Sequence, residues 1–344
     1  MKQFIFQKSR VKDLLSHLID EYGNVYAPKA RGKHFVFDRI TDPSQAEFGY
    51  IRTILPPKKY LMPTEEKLVI FKLEGEPSFD ENIDAPKQVI AGVRPADIRA
   101  IELLDKVMSS GKPDRNYNAR RENTIIIGID GIPDEYSYES STMDLPPKSG
   151  FDIFLTDLGN TVLADVATDA GMDIIKSIEH EPATSEHLAL RDQTVASQLE
   201  MYTSKIDTPA KLIPLELEGK WDHPVWDEMG AKCLSCGQCI LVCPTCYCFN
   251  ITDELALSMK EGSRVRRWDG CQLSDFALVG HNENFRDDAG ARVRHRFYRK
   301  FKYHIDAYSE IFCTGCGRCW ETCPADINLV DIANRLSSEE VECA

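Results

Sequence analysis

"CLSCGQCILVCPTCYCF", residues 233–249, places six cysteines within seventeen positions. A second run, "CTGCGRCWETCP" at residues 313–324, adds four more. Both runs fit C-x2-C-x2-C-x3-C-P, the spacing with which bacterial two-cluster ferredoxins hold 4Fe-4S clusters. The spacing therefore predicts a ferredoxin-like domain with two 4Fe-4S clusters.

The expected ligand sets cross between the two runs, because the fourth cysteine of each run ligates the other cluster in such domains. The first cluster is expected on Cys233, Cys236, Cys239 and Cys323. The second cluster is expected on Cys313, Cys316, Cys319 and Cys243. Three thiolates two residues apart can wrap a loop around one cluster, with backbone N–H groups aimed at the sulfurs. The proline after each fourth cysteine predicts that a helix begins there.

Zinc and disulfides are the alternative uses of so many cysteines. Zinc sites use C-x2-C pairs separated by longer spacers, often completed by histidine, so they do not require this spacing. The first residues, "MKQFIFQKSRVKDLLSHLIDEYG", lack the apolar core of a secretory signal, and no apolar run reaches the roughly 18–20 residues of a membrane helix. We therefore expect a cytoplasmic protein without a membrane span, and disulfides are rare in that compartment.

Three further cysteines follow closely on the first run or lie between the two runs. They are Cys246, Cys248 and Cys271. They are candidate ligands of a third iron–sulfur cluster that lacks one cysteine ligand, which Asp269 or another residue could supply. The alternative is that they are small buried hydrophobic residues beneath the cluster domain. Cys343 is expected to be an incidental exposed thiol.

The distribution of cysteine also indicates the domain organisation, because none precedes residue 233 in this chain of 344 residues. Hydrophobic residues make up 42% and charged residues 28%, ordinary values for a globular protein. We expect a mixed α/β scaffold or partner-binding domain at 1–180 and a helical linker at 181–230. A dicluster ferredoxin-like domain is expected at 231–344, with a basic helical insertion at 250–310. The predicted fold class is thus α+β, or mixed α/β, followed by a ferredoxin-like two-cluster domain with a helical insertion.

Apolar periodicity predicts the elements of the first part. "RVKDLLSHLIDEYG" predicts a helix that ends near Gly23, and "PADIRAIELLDKVM" predicts another. Strands are predicted in "EKLVIFKLEG", "QVIAGVR", "NTIIIGID", "FDIFLTDLG" and "NTVLADVA". Alternating strands and helices favour a sheet covered by helices, with parallel and mixed pairing both open. A polar helix is predicted at 181–206, followed by an irregular link and one short helix.

The net charge of −14 argues against nucleic acid as a partner, because neutralising phosphates needs an excess of Lys and Arg. From Arg264 to His304, however, ten Lys/Arg face five Asp/Glu, mostly in "RVRHRFYRKFKYH". This stretch predicts a helix whose long basic side chains cover its neighbours. The alternatives are a docking surface for an acidic partner, cations that stabilise reduced, negatively charged clusters, or a local nucleic-acid patch.

No motif for a reaction centre accompanies the cysteines. The sequence contains no G-x-G-x-x-G after a predicted strand, no P-loop and no H-E-x-x-H. His281, His295 and His304 lie in the basic region and are expected to be structural. We therefore predict no catalytic residue and an electron relay between two partners. The alternatives are an iron–sulfur sensor or assembly protein, and an enzyme whose pocket is lined by "DLGN" and "RREN".

The cysteine runs together with "RVRRWDGC" and "ENFRDDAGARVRHRFYRKF" resemble the iron–sulfur β subunit of cytoplasmic sulfhydrogenases and the related A subunit of anaerobic sulfite reductase. The likeness extends through "GVRPADIRAIELLDKV", "RRENTIIIGIDGIP" and "GFDIFLTDLGNTVLADVA", roughly residues 88–335. The resemblance implies transfer of electrons between a flavin- and NAD(P)-binding subunit and a catalytic subunit. That catalytic subunit would be a nickel–iron hydrogenase or a sirohaem reductase.

The sequence departs from the family at four positions where the family commonly carries cysteine. These are Ala96, a position near Gly131, and the pair Tyr136 and Tyr138. Loss of the whole set implies that an N-terminal metal site is gone while the surrounding fold remains. The resemblance then implies a different electron donor or a shortened chain of redox centres.

Overall fold

The computed structural model describes residues 1–140 and 142–338, so Cys343 lies outside the described residues. The strands in this part of the chain are β1 (Lys2–Gln7), β2 (Val25–Arg31), β3 (His34–Ile40), β4 (Glu65–Lys72), β5 (Ser78–Glu81), β6 (Gln88–Val93), β7 (Thr124–Ile129), β8 (Tyr138–Glu139), β9 (Ile153–Asp157), β10 (Thr161–Val166), β11 (Glu181–Pro182), β12 (Ser204–Lys205), β13 (Phe249–Leu255) and β14 (Glu261–Trp268). The helices are α1 (Val11–Tyr22), α2 (Pro95–Ser109), α3 (Arg115–Glu122), α4 (Asp169–Ile175), α5 (Ser185–Glu200), α6 (Ile213–Glu216), α7 (Val225–Lys232), α8 (Gln238–Leu241), α9 (Ala289–Phe301), α10 (Tyr303–Tyr308), α11 (Arg318–Glu321) and α12 (Leu329–Ser338). None of these helices has the length and apolar character needed to cross a bilayer.

The largest sheet has eight strands in the order β11-β1-β10-β9-β7-β6-β2-β3. Its central strands β2, β6, β7 and β9 pair in parallel, whereas the outer pairs are antiparallel. Every residue of β6 is buried, as expected for a strand covered on both faces of the sheet. The sheet is therefore mixed, and the predicted α/β character of the first part is confirmed.

Helices cover both faces of this sheet. Leu14, Leu15 and Leu18 of α1 pack into a core on one face, together with residues of β6, β7 and β9. Ile98 and Leu104 of α2 belong to a second core on the other face. The two helices and five strands predicted from periodicity are thus confirmed, each within a few residues of the expected ends.

A second, four-stranded antiparallel sheet has the order β13-β14-β4-β5. Here the structure differs from the predicted helical insertion at 250–310, because its first part is a hairpin and regular α-helix begins only at Ala289. The reason is a contact with a distant part of the chain, which the local sequence does not reveal. Arg266 on β14 pairs with Glu66 on β4 at 2.5 Å, with both side chains buried. This pairing fixes the hairpin against the α/β part.

The predicted linker at 181–230 is helical only in part. The helix α5 lies in its first half, with the short strands β11 and β12 on either side, and α6 and α7 follow. The last of these, α7, packs closely on α9, where a Cβ atom at Gly230 would lie 2.6 Å from the backbone nitrogen of Gly290. Trp226, Phe297 and Ile332 join α7, α9 and α12 in a third core next to the cysteine loops.

Candidate metal centre

The two cysteine runs fold into loops with the same backbone. In the first loop Ser235 and Gly237 have φ of 52° and 74°, and in the second loop Gly315 and Gly317 have φ of 70° and 76°. Positive φ is accessible to glycine at little cost and strained for most other residues. A short helix follows in each loop, α8 in the first and α11 in the second. The matching left-handed positions turn three cysteines of each run toward one side.

Each predicted set of four thiols lines one cavity. The first cavity is lined by Cys233, Cys236, Cys239 and Cys323. The second cavity is lined by Cys313, Cys316, Cys319 and Cys243. Cys319 reaches both cavities, so the two lie side by side. The structure thus brings together the cysteines that the crossed pattern assigns to each cluster.

The predicted helix start at the proline after each fourth cysteine is wrong. Cys243 and Cys323 follow the short helices, and the chain then turns, with backbone bonds from Cys246 N to Cys243 O at 3.4 Å and from Asp326 N to Cys323 O at 3.1 Å. The turn leaves amides facing sulfur, since Ile327 N lies 3.4 Å from Cys323 Sγ. The proline therefore supports a turn that presents the fourth thiol.

A row of buried cations on α9 runs beneath both cavities. Arg292, Arg296 and Lys300 are spaced four residues apart and so share one face of the helix. Their exposed fractions are only 6%, 6% and 3%. Arg296 lines both cavities and Lys300 lines the second. Arg292 donates from Nη2 to Ser235 Oγ in the first loop, at 2.9 Å.

These cations have little internal compensation. Arg296 donates from Nη2 to the carbonyl of Cys239 at 3.4 Å while its Nε has no partner, and Lys300 Nζ donates to Thr245 Oγ1 at 2.7 Å. Within residues 1–140 and 142–338, neither forms an ion pair with a carboxylate. Because a buried charge without a counter-charge is costly, an anionic group is expected beside them. Two thiolate-bound clusters satisfy this requirement, so the residues fit the group.

Protonation of the thiols agrees with this view. Burial raises the pKa of Cys239 to about 12 and that of Cys316 to about 12, so these thiols stay protonated without a metal. Burial opposes the charge on Arg296, yet its electrostatic attraction to the sulfur groups of Cys239, Cys319, Cys243 and Cys246 holds its pKa well above the usual range. Metal binding at these loops is therefore expected to release protons.

Of the three additional cysteines, Cys246 contacts a buried lysine through its carbonyl group. Lys58 is 2% exposed and donates from Nζ to the carbonyls of Cys243 and Cys246, at 2.8 and 2.5 Å. Asp269 accepts from the amide of its neighbour Gly270. In the part of the chain that the structure describes, no three His, Cys, Asp or Glu side chains form a site for a single metal ion. A third cluster on Cys246, Cys248 and Cys271 stays a prediction.

The α/β part holds the second cysteine loop directly. Arg52 Nε donates to Cys316 O at 3.0 Å, and Ser140 Oγ donates to Cys313 O at 2.9 Å. Below the loop, Arg318 of α11 forms a bidentate ion pair with Asp97 of α2, with bonds of 2.7 and 2.8 Å. Sequence reasoning missed these residues, and no local pattern marks them because their partners are far away in the chain.

The four positions where the resembling family carries cysteine fall in two places. Ala96 and Gly131 line a small cavity beside Cys316, whereas Tyr136 and Tyr138 line the second cluster cavity. The space next to Gly131 is filled by Arg94, since a Cβ there would lie 2.5 Å from Arg94 Nη1. An arginine thus occupies the space beside one of the substituted positions.

The alternative enzyme residues have structural surroundings. In "RREN", Arg120 pairs with Glu66 at 2.6 Å, and in "DLGN", Asp157 accepts from the amide of Gly159 at 2.9 Å within a turn. His304 is buried and stacks on Phe312. These contacts give each residue a structural role that requires no substrate.

Comparison with known proteins agrees with this site. Residues 232–327 match the 4Fe-4S dicluster domain family. The chain is 33% identical over 320 residues to sulfhydrogenase 2 subunit beta of Pyrococcus furiosus, covering 92% of this chain and 93% of that protein. No solved structure matches. The resemblance seen in the sequence and the two 4Fe-4S clusters are therefore confirmed, and the chain belongs to the family of sulfhydrogenase β subunits, iron–sulfur subunits of oxidoreductases.

Proposed function

We propose that this chain carries electrons between a flavin- and NAD(P)-binding subunit and a nickel–iron hydrogenase subunit. The observation that carries the proposal is the pair of adjacent cavities, each lined by its predicted set of four thiols, with Cys319 and Arg296 lining both. Bound 4Fe-4S clusters supply reversible uptake and release of single electrons. The Pyrococcus furiosus relative is by name a subunit of a sulfhydrogenase, which favours a hydrogenase as the catalytic partner.

In this proposal the protein's own groups hold, shield and orient the clusters. Cys233, Cys236, Cys239 and Cys323 hold the first cluster. Cys313, Cys316, Cys319 and Cys243 hold the second cluster. Residues 231–344 form the cluster-bearing part, 181–230 the linker, and 1–180 the part that clamps the second loop. No side chain serves as acid, base or nucleophile, and the protein acts in the cytoplasm.

The first cluster cavity is the better candidate for exchange of electrons with a partner. Cys236 is exposed, and the neighbouring Leu234 is 67% exposed. The second cavity is covered by Tyr136 and Tyr138 of the α/β part. A partner that docks over the loop at 233–236 would therefore come closest to a thiol ligand.

The ligand assignment is tested by iron counting on the anaerobically purified chain. Two clusters correspond to about eight irons per chain. Cys236→Ser and Cys316→Ser are each expected to remove one cluster, leaving about four irons. A variant in which Cys246, Cys248 and Cys271 are all alanine is the matched control. If the wild type holds about twelve irons and this variant about eight, a third cluster exists.

The partner assignment is tested by anaerobic purification of the chain from its native source, with every co-purifying protein identified. A nickel–iron hydrogenase pair together with a flavoprotein would support the proposal. A sirohaem protein would place the same relay in a sulfite reductase instead. Recovery of the chain alone, with its iron intact, would contradict an obligate subunit and favour a sensor or assembly protein.

A further inference from the structure

We propose that Arg296 is a counter-ion shared by the two clusters, a positioning residue whose charge raises the reduction potential of both. Lys300 is inferred to act on the second cluster alone. The inference rests on the proposed function, because it requires both clusters to be present. It adds an electrostatic contribution to both reduction potentials that ligand spacing alone does not predict.

Arg296 and Lys300 differ in the number of cluster cavities that they line. Arg296 lines the cavity of Cys233, Cys236, Cys239 and Cys323 and also that of the other four thiols. Lys300, one helical turn further on, lines only the second cavity. Arg294, on the same helix, lines neither and instead lies over the ring of Trp221 at 4.0 Å. The helix α9 therefore carries one cation that lines both cavities, one that lines a single cavity, and one that lines neither and serves as a matched control.

The position of Arg296 is fixed by an adjoining face of α9. Val293, Phe297 and Phe301 repeat every four residues, one position after the buried cations, and pack in the third core. The helix is further held by the close approach of Gly290 to Gly230 on α7. A cation held in this way keeps its place when the charge beside it changes, so its effect is not lost to reorganisation.

The sign of the effect follows from Coulomb's law. A reduced cluster carries one more negative charge than an oxidised one, so a nearby cation stabilises the reduced form. The effect is large here because Arg296 is buried and forms no ion pair with a carboxylate in the described chain. Arg296 lines both cavities, so this stabilisation acts on both clusters. Removing Arg296 is expected to lower both potentials.

The test is an EPR-monitored redox titration of the full chain, purified anaerobically with its clusters. Arg296→Gln should shift both midpoint potentials to lower values, and Lys300→Gln should shift one. Arg294→Gln removes the same charge from the same helix and should shift neither. Cys316→Ser, which lacks the second cluster, identifies the signal that Lys300 affects. Arg296→Lys restores the charge and should recover most of the lost potential.

The outcomes separate the inference from the function on which it rests. Wild-type protein without about eight irons would contradict the proposed function itself. Full iron with unchanged potentials in Arg296→Gln, or an equal shift in Arg294→Gln, would overturn the shared counter-ion. If Arg296→Gln does not retain its iron, the midpoint potentials of Lys300→Gln decide whether the inference holds. A shift confined to the second cluster supports the inference, and a shift of both or neither overturns it.

Discussion

At the residue scale, the ion pair between Arg318 and Asp97 connects the cluster loop to the α/β part. Both side chains are at most 2% exposed and the pairing is bidentate. Asp97→Asn leaves the guanidinium buried without a counter-charge, so the free energy of unfolding should fall by about 3–5 kcal/mol. Anaerobic urea denaturation measures this loss.

A surface pair is the control for that measurement. Lys176 and Asp173 also lie 2.8 Å apart, but their side chains are 62% and 75% exposed. Asp173→Asn should lower the free energy of unfolding far less than Asp97→Asn does, because solvent screens an exposed ion pair. Equal losses in the two variants would show that the buried pair has no special role in joining the two parts.

A second residue-scale prediction concerns His304. Burial lowers its pKa to about 3, and its ring lies 2.9 Å from the Tyr247 hydroxyl. The folded-state pKa is depressed below the usual value near 6.5, so the unfolded chain gains a proton that the folded chain does not. The contribution of neutral His304 to the free energy of unfolding is thus fully present above about pH 6.5. This contribution is lost as the pH falls, by up to about 1.4 kcal/mol per pH unit.

Unfolding free energies at several pH values between 7.5 and 5 test this dependence. His304→Gln cannot take up the proton, so its stability should decline less steeply with falling pH than that of the wild type. His281→Gln, at an exposed position, should keep the wild-type slope. Identical slopes in all three proteins would show that His304 is protonated equally in the folded and unfolded chains.

What the sequence could predict at this scale was limited by distance along the chain. The grouping of the eight cysteines around two cavities was predictable because the cysteine spacing within each loop is local. Lys58 and Arg52 were not, since they contact cysteine carbonyls 185 and 264 residues away. The three cations of α9 were visible as a basic stretch, but only the structure distinguishes the buried Arg296 from the half-buried Arg294.

At the element scale, the second cysteine loop depends on Gly315. Its φ is +70°, and an added Cβ would overlap the carbonyl oxygen of Tyr138, whose amide bonds to Gly315 O at 3.1 Å. Gly315→Ala should therefore displace the loop and remove the second cluster, lowering iron from about eight to about four per chain.

The corresponding position of the first loop provides the comparison. Ser235 has a φ of 52°, a conformation that glycine adopts more easily. Ser235→Gly should therefore keep all its iron, even though it loses the bond from Arg292. Retention of both clusters in Gly315→Ala would mean that the loop tolerates the strain and that its contact with Tyr138 can be released.

Helices and strands were predictable from the sequence where a single hydrophobic pattern dominates. Buried runs such as β6 and amphipathic helices such as α2 follow directly from periodicity. The hairpin β13–β14 could not be predicted in this way, because every residue of β13 is exposed and arginines mask the alternation of apolar and polar residues on β14. Its strands are fixed by pairing with β4, some 190 residues earlier, which no local window contains.

At the scale of the whole molecule, the two cluster cavities differ in their access to a partner. The second is enclosed by the α/β part, whereas the first ends at Cys236 and the 67% exposed Leu234. An electron that leaves the protein at the first cavity crosses only this loop. In the proposed function this burial pattern gives the relay a direction in space, with the α/β part shielding the second cavity and a partner expected to dock at the first.

Leu234→Gln tests this direction without adding charge near a cluster. The variant should retain about eight irons, yet it should bind its redox partner more weakly and deliver electrons to it more slowly, because an apolar contact is lost at the interface. Leu257→Gln is the control, since Leu257 is fully exposed at the turn of the β13–β14 hairpin, away from both cavities. Co-purification and the rate of electron transfer in the assembled complex are the measurements. If Leu257→Gln weakens the complex and Leu234→Gln does not, the partner docks on the hairpin, and electrons must leave through the enclosed second cavity.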